Sequence, residues 1–144
     1  MEHRAKIDLF SDRRGEGELV STGGVSESKI RDYKDLLVWQ KGIALAKEVY
    51  TITSGFPSEE KFGLISQMRR AAVSVPSNIA EGHARNTRGE YVQFLSNAEG
   101  SLAELDTQVR ISMELGFCRS DEKLSHLLIQ ILELQKMSRA FEQS

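Results

Sequence analysis

Apolar side chains recur at helical spacing in four successive stretches of this chain, and the residues between them read as caps and stops. The first helix is expected from about Asp35 to Ser54, with Gly55 as its stop and Pro57 beyond it. Its apolar positions Val38, Trp39, Gly42, Ile43, Leu45, Ala46, Val49, Tyr50 and Ile52 cover nearly half the circumference, more than one neighbouring helix needs, and leave Gln40, Lys41, Lys47, Glu48 and Thr51 for water. Trp39 and Tyr50 share that face and read as core side chains rather than as a platform for stacking bases.

Ser58, followed by Glu59 and Glu60, reads as an N-cap with first-turn acids. It opens a second helix that should end near Gly82 as its C′ residue. On a helical wheel Leu64, Ile65, Met68, Ala71, Ala72, Val75 and Ile79 fall on one arc, and Gln67, Arg70, Ser74, Ser77, Asn78 and Glu81 on the opposite one. Pro76 interrupts this pattern. It lacks an N–H and its ring crowds the Ala72 carbonyl, so a kink costing ~3 kcal/mol is expected unless packing or the flanking Ser74 and Ser77 hydroxyls compensate.

After a loop from His83 to Asn86, Thr87-Arg88-Gly89-Glu90 fits a capping box. The third helix then carries a seam of Tyr91, Leu95, Ala98, Leu102, Leu105, Val109, Ser112 and Gly116, and from Thr87 to Leu115 it would be roughly 43 Å long. Gly100 lies off the seam at a cost of about 1 kcal/mol against alanine; it suits either a bare surface or the approach of another subunit. Ser120 caps the last helix, with Asp121 and Glu122 in its first turn. Leu124, Leu127, Leu128, Ile131, Leu132, Leu134 and Phe141 form its apolar arc, with Ile129 and Met137 outside. Four helices with short loops give an all-α, antiparallel up-down four-helix bundle, and the surplus apolar surface of the first and last helices predicts a homo-oligomer.

Composition narrows the function classes. With 144 residues, 40% apolar and 28% charged, the chain fits one domain. Residues 31–144 hold the bundle; residues 1–30, with four glycines and no sustained period, read as a flexible N-terminal extension whose short apolar runs suit a hairpin or docking on a partner. A net charge of −2 gives no global attraction to nucleic acid or anionic membranes, so any anion site is local. No stretch approaches the roughly 20 apolar residues of a membrane span, and the N-terminus has no signal-peptide core, which together predict a cytoplasmic protein without a membrane partner. The single Cys118 agrees with a reducing compartment.

The chemistry-bearing residues point away from catalysis. The Glu-x-x-His pairs of a di-iron bundle are missing, and His3, His83 and His126 have no zinc spacing, so neither metal nor cofactor is expected. No serine stands in a nucleophile elbow, and no catalytic residue is assigned. The cations form two groups about 18–20 Å apart, Arg69 with Arg70, and His83 with Arg85 and Arg88. Arg69 leans toward the apolar side, where an arginine ordinarily pairs with a carboxylate; Glu99, Glu104 and Glu81 are the candidates, with nucleic-acid contact as the alternative. Arg85 and Arg88 stand beside a helix N-terminus, where they either bind an anion or are solvated.

The segments DLLVWQKGIALAKEVY at 35–50, FPSEEKFGLISQMRRAAVSVPSNIAEG at 56–82, EYVQFLSNAEGSLAELDTQ at 90–108 and LGF at 115–117 stand in one order along the chain. Together they resemble the four-helix-bundle family encoded in intervening sequences of bacterial 23S ribosomal RNA genes. The resemblance implies a bundle that assembles into a ring, commonly a pentamer, with no known enzymatic activity. The family is related to the accessory variability determinant of diversity-generating retroelements, which implies RNA or a nucleic-acid-associated protein as partner. Gln67, Ser74, Pro76, Asn78, Glu81 and Gly82 carry the structural signature, and Arg69, Arg70, His83, Arg85 and Arg88 are the candidate nucleic-acid contacts. The mildly acidic balance departs from that relative, which leaves a protein–protein scaffold without nucleic-acid binding as the alternative.

Overall fold

Residues 31–144, which the computed structural model describes, form four α-helices. They are α1 (Leu37–Thr53), α2 (Leu64–His83), α3 (Arg88–Leu115) and α4 (Asp121–Gln143), with short 3-10 turns at Tyr33–Asp35 and Ser58–Glu60. The expected extension over 1–30 lies outside the described residues.

Local hydrogen bonding explains where the helix ends differ from expectation. Asp35 is spent in the first 3-10 turn, where its carboxylate accepts the Arg31 N–H at 2.8 Å and Asp32 accepts the Lys34 N–H at 2.8 Å, so α1 begins at Leu37. Ser58 is not the N-cap of α2. After Pro57 the chain closes a 3-10 turn, with the Lys61 N–H donating to the Ser58 carbonyl at 3.1 Å, and Gly63 precedes the helix with no side chain to cap it. Glu60 supplies the acceptor instead, its carboxylate taking the Leu64 N–H at 3.1 Å. The acids therefore do serve a helix N-terminus, one that starts six residues after Ser58.

Gly82 is not a C′ residue either. It lies inside α2, which ends at His83, and it is buried against α3; a β-carbon there would stand 2.7 Å from Phe94 Cβ. A second small-residue contact joins α1 to α2. A β-carbon on Gly42 would stand 3.3 Å from Pro76 Cβ, and the proline ring is buried in a helix that runs uninterrupted from Leu64 to His83. Packing against Gly42 supplies part of the compensation that a mid-helix proline requires.

The Thr87 hydroxyl accepts the Glu90 N–H at 3.1 Å, the hydroxyl half of the expected capping box, and the Ser120 hydroxyl accepts the Glu122 N–H at 3.2 Å. Gly116, expected on the seam of α3, instead ends that helix in the left-handed conformation (φ 68°), where lack of a β-carbon removes the strain.

Helices adjacent in sequence pack together, and α4 returns to α1. Each neighbour pair runs antiparallel: Gly42 near the start of α1 meets Pro76 late in α2, Met68 early in α2 meets Ser112 late in α3, and Arg88 at the start of α3 meets Phe141 at the end of α4. The core takes Val38, Leu45 and Val49 from α1; the expected arc of α2 except the half-buried Leu64; Leu95, Leu102, Leu105 and Val109 from α3; and Leu124, Leu127, Ile131 and Leu134 from α4. Met137, expected outside, is buried; Ile43, Tyr50 and Leu132, expected inside, are exposed. Gly100 faces open space.

Candidate nucleic-acid interface

The apolar face of α1 is wider than α2 and α4 can cover, and its surplus becomes one wall of a groove. Two adjoining clefts lie between α1 and α2. One, of about 710 Å³, runs between Tyr50 and Phe62; the other, of about 290 Å³, is walled by Trp39, Ile43 and Ala46. Val73 and Ser77 line both, so the two clefts share a wall on α2 and together make up the α1/α2 groove.

The larger cleft carries Lys61, Arg69 and Arg70, and none of its lining residues is acidic. Arg69 is half-buried as expected, but no carboxylate holds it. Its Nε donates to Thr53 Oγ1 at 2.9 Å, its Nη2 to the Tyr50 carbonyl at 3.3 Å, and its guanidinium lies over the Tyr50 ring at 4.5 Å. The C-terminal turn of α1 replaces the acid, because its last carbonyls carry the negative end of the helix dipole. The three carboxylates expected as partners are engaged elsewhere: Glu81 with Arg85, Glu104 with Gln108, and Glu99 with the Glu142 carboxyl.

Arg70 is exposed, and its Nη2 donates to Ser66 Oγ at 3.3 Å. Lys61 lies 5.4 Å from the centre of the Phe62 ring, and Phe62 is 89% exposed. Among the described residues neither Lys61 nor Arg70 forms an ion pair. Both side chains are free to meet an anion, and the exposed Phe62 ring lines the same cleft beside Lys61.

The second cationic group is arranged differently. Arg85 pairs with Glu81 at 3.2 Å and lies over the Phe94 ring at 4.7 Å. Arg88 donates to the Phe141 carbonyl at 2.9 Å and to Ser144 Oγ at 3.1 Å, with its guanidinium 5.1 Å from the Phe141 ring centre. His83 is the last residue of α2 rather than a loop residue, half-buried with its ring edge-on to Tyr91 at 5.8 Å. All three side chains are used to hold helices together, and they stand at the opposite end of α2 from Lys61.

The remaining signature residues serve the fold. The Ser74 hydroxyl sits between the Ala71 carbonyl, at 2.9 Å, and the Ser101 hydroxyl of α3, and Asn78 Nδ2 donates to the Ser74 carbonyl at 2.8 Å. These bonds flank Pro76, where the backbone ladder lacks a donor. Gln67 is exposed on the outer side of α2.

Burial raises the Tyr91 phenol above its ordinary value. Burial, then the facing Glu142 carboxyl, pushes Glu99 up to about 7, against the lowering pull of Arg139. Among the described residues no cluster of three or more histidines, cysteines or acids is placed to hold a metal ion, and no helix is long and apolar enough to cross a membrane.

Sequence reasoning missed Lys61, Thr53 and Phe62 and assigned Tyr50 to the core. The signal present was the excess width of the first apolar face, which announces an uncovered wall without saying that a groove runs beside it.

The family model described as 23S rRNA-intervening sequence protein matches residues 34–140. No curated protein matches the chain.

Proposed function

Because the chain belongs to the 23S rRNA-intervening sequence protein family, we propose that it is a non-catalytic, self-associating cytoplasmic protein that binds single-stranded RNA in the α1/α2 groove. The observation carrying this reading is the groove itself, with Lys61, Arg69 and Arg70 on its walls and no acid among its lining residues. Lys61 and Arg70 meet phosphates, and Arg69, fixed by Thr53 and Tyr50, presents its remaining N–H groups in a constant place. Phe62 offers an uncovered ring on which any base stacks, a sequence-tolerant contact of about 1–3 kcal/mol. A local site of this kind is compatible with a net charge of −2, since screening confines exposed charges to about 8–10 Å.

Self-association is supported by the outer face of α4. Ile129 is 65% exposed and Leu132 47%, one turn apart, and neither contributes to the core. We propose that a second copy covers them, in an assembly consistent with a ring.

The RNA reading is tested by fluorescence anisotropy with a labelled single-stranded RNA of about ten nucleotides at low salt. Lys61→Ala and Arg70→Ala should each weaken binding several-fold, and Arg85→Ala should leave it within two-fold. If Arg85→Ala is the variant that abolishes binding, the site lies at the other end of α2. If the wild-type protein binds no RNA, the scaffold alternative stands.

A further inference from the structure

We infer that residues 16–20 of the same chain, Glu-Gly-Glu-Leu-Val, dock in the α1/α2 groove and mask its cations. The segment and the groove are complementary in charge and in apolar character. Residues 16–20 carry two acids, Glu16 and Glu18, no lysine or arginine, and the adjacent pair Leu19 and Val20, with Arg13 and Arg14 preceding them outside the segment. The groove carries Lys61, Arg69 and Arg70 with no acid among its lining residues, and its apolar wall includes Ile43, exposed by 44%, and Val73, exposed by 42%. An acidic strip next to two aliphatic side chains is what such a surface takes up, because the aliphatic pair removes apolar area from water while the carboxylates meet cations that have no acid partner among the described residues.

The chain is also placed to deliver that segment. Tyr33 lines the narrow end of the groove and packs edge-on against Trp39 at 5.4 Å, so the polypeptide joins the bundle beside the groove. From Ile65 to Ala80 the groove follows α2 for roughly 23 Å. The eleven residue-to-residue steps from Val20 to Arg31 span up to about 36 Å, enough to bring Glu16 and Glu18 to Arg70 without help from a second copy. The masking consequence rests on the groove being the RNA site; the docking itself does not.

Docking is read without RNA by carrying a photo-crosslinker at Ser21 in the full chain and mapping its adducts by mass spectrometry, in a mixture of heavy-isotope and light chains. Adducts on Ile43, Val73 or their α1 and α2 neighbours within one isotopic species support the inference, and they should fall several-fold in a Glu16→Gln, Glu18→Gln, Leu19→Ser, Val20→Ser variant, which adds no cation that could itself bind RNA. Adducts elsewhere, or only between isotopic species, overturn it. In the same full-length variant, RNA affinity should rise at least three-fold at low salt. Loss of groove adducts without that rise overturns the masking of RNA and leaves docking in place. If neither chain binds RNA while groove adducts persist, it is the RNA reading that fails.

Discussion

Gly82 of α2 and Phe94 of α3 approach so closely that a β-carbon on residue 82 would lie 2.7 Å from Phe94 Cβ and 3.0 Å from Tyr91 Cδ1. Neither neighbour is the free end of a flexible side chain, so an added methyl forces the helices apart. Gly82→Ala should therefore destabilise the protein by about 1–3 kcal/mol despite alanine's better helix propensity. Gly100→Ala makes the contrast, since nothing stands within 4 Å of a β-carbon there. That substitution should stabilise by up to about 1 kcal/mol. Urea midpoints of the two variants check the pair, provided Gly100 is not covered by another subunit; a destabilised Gly100→Ala that also loses self-association would identify position 100 as an interface.

Thr53 is buried and serves two partners, donating to the Val49 carbonyl at 2.7 Å and accepting from Arg69 Nε at 2.9 Å. Thr53→Val keeps the shape and removes both bonds, with an expected cost of about 1–2 kcal/mol. Arg69 then loses its orientation in the groove. RNA affinity measured under folded conditions should fall with it, although residue 53 is not itself on the groove's surface.

Arg88 fastens the last turn of α4 to the start of α3 through the Phe141 carbonyl and ring. Arg88→Ala should cost about 1 kcal/mol and raise amide hydrogen exchange over residues 138–143, while RNA affinity stays within two-fold. Exchange that is unchanged there would show that the contact contributes nothing to holding the helix end.

Glu99 gives stability a pH dependence of definite sign. Its carboxyl is raised from an ordinary 4.5 to about 7 by burial first and the facing Glu142 carboxyl second, so between those values the folded protein holds a proton that the unfolded chain releases. That contribution is fully present below pH 4.5, falls as pH rises, and is lost once pH passes about 7. Glu99→Gln should raise the urea midpoint at pH 8 relative to wild type and change it little at pH 4.5. Equal effects at both values would remove the carboxyl pair from the account.

The sequence was most legible where periodicity is a packing statement. The arc of α2 drawn at helical spacing is the buried face, with Leu64 alone only half covered, and the seam of α3 is buried from Leu95 to Ser112. Helix ends were less legible because one residue type serves two purposes. Ser58-Glu59-Glu60 has the composition of a helix start, but Pro57 and Gly63 make it a 3-10 turn whose Glu60 caps the helix beyond. Gly82 has the look of a stop signal and is a helix crossing. The candidate site was least legible. Arg69 and Arg70 are visible in sequence, but the use of α1's terminal carbonyls in place of an acid, and the isolation of Lys61 beside Phe62, depend on how two helices meet.

The most direct measurement is the salt dependence of RNA binding by the full-length protein. Neutralising about three phosphates with Lys61, Arg69 and Arg70 predicts a slope of log affinity against log salt near −2 on the single-strand value. Lys61→Ala and Arg70→Ala should each flatten that slope by about 0.7, and Arg85→Ala should leave it unchanged. A slope near zero, or one flattened by Arg85→Ala and indifferent to Lys61→Ala and Arg70→Ala, would contradict the assignment of the groove as the RNA site.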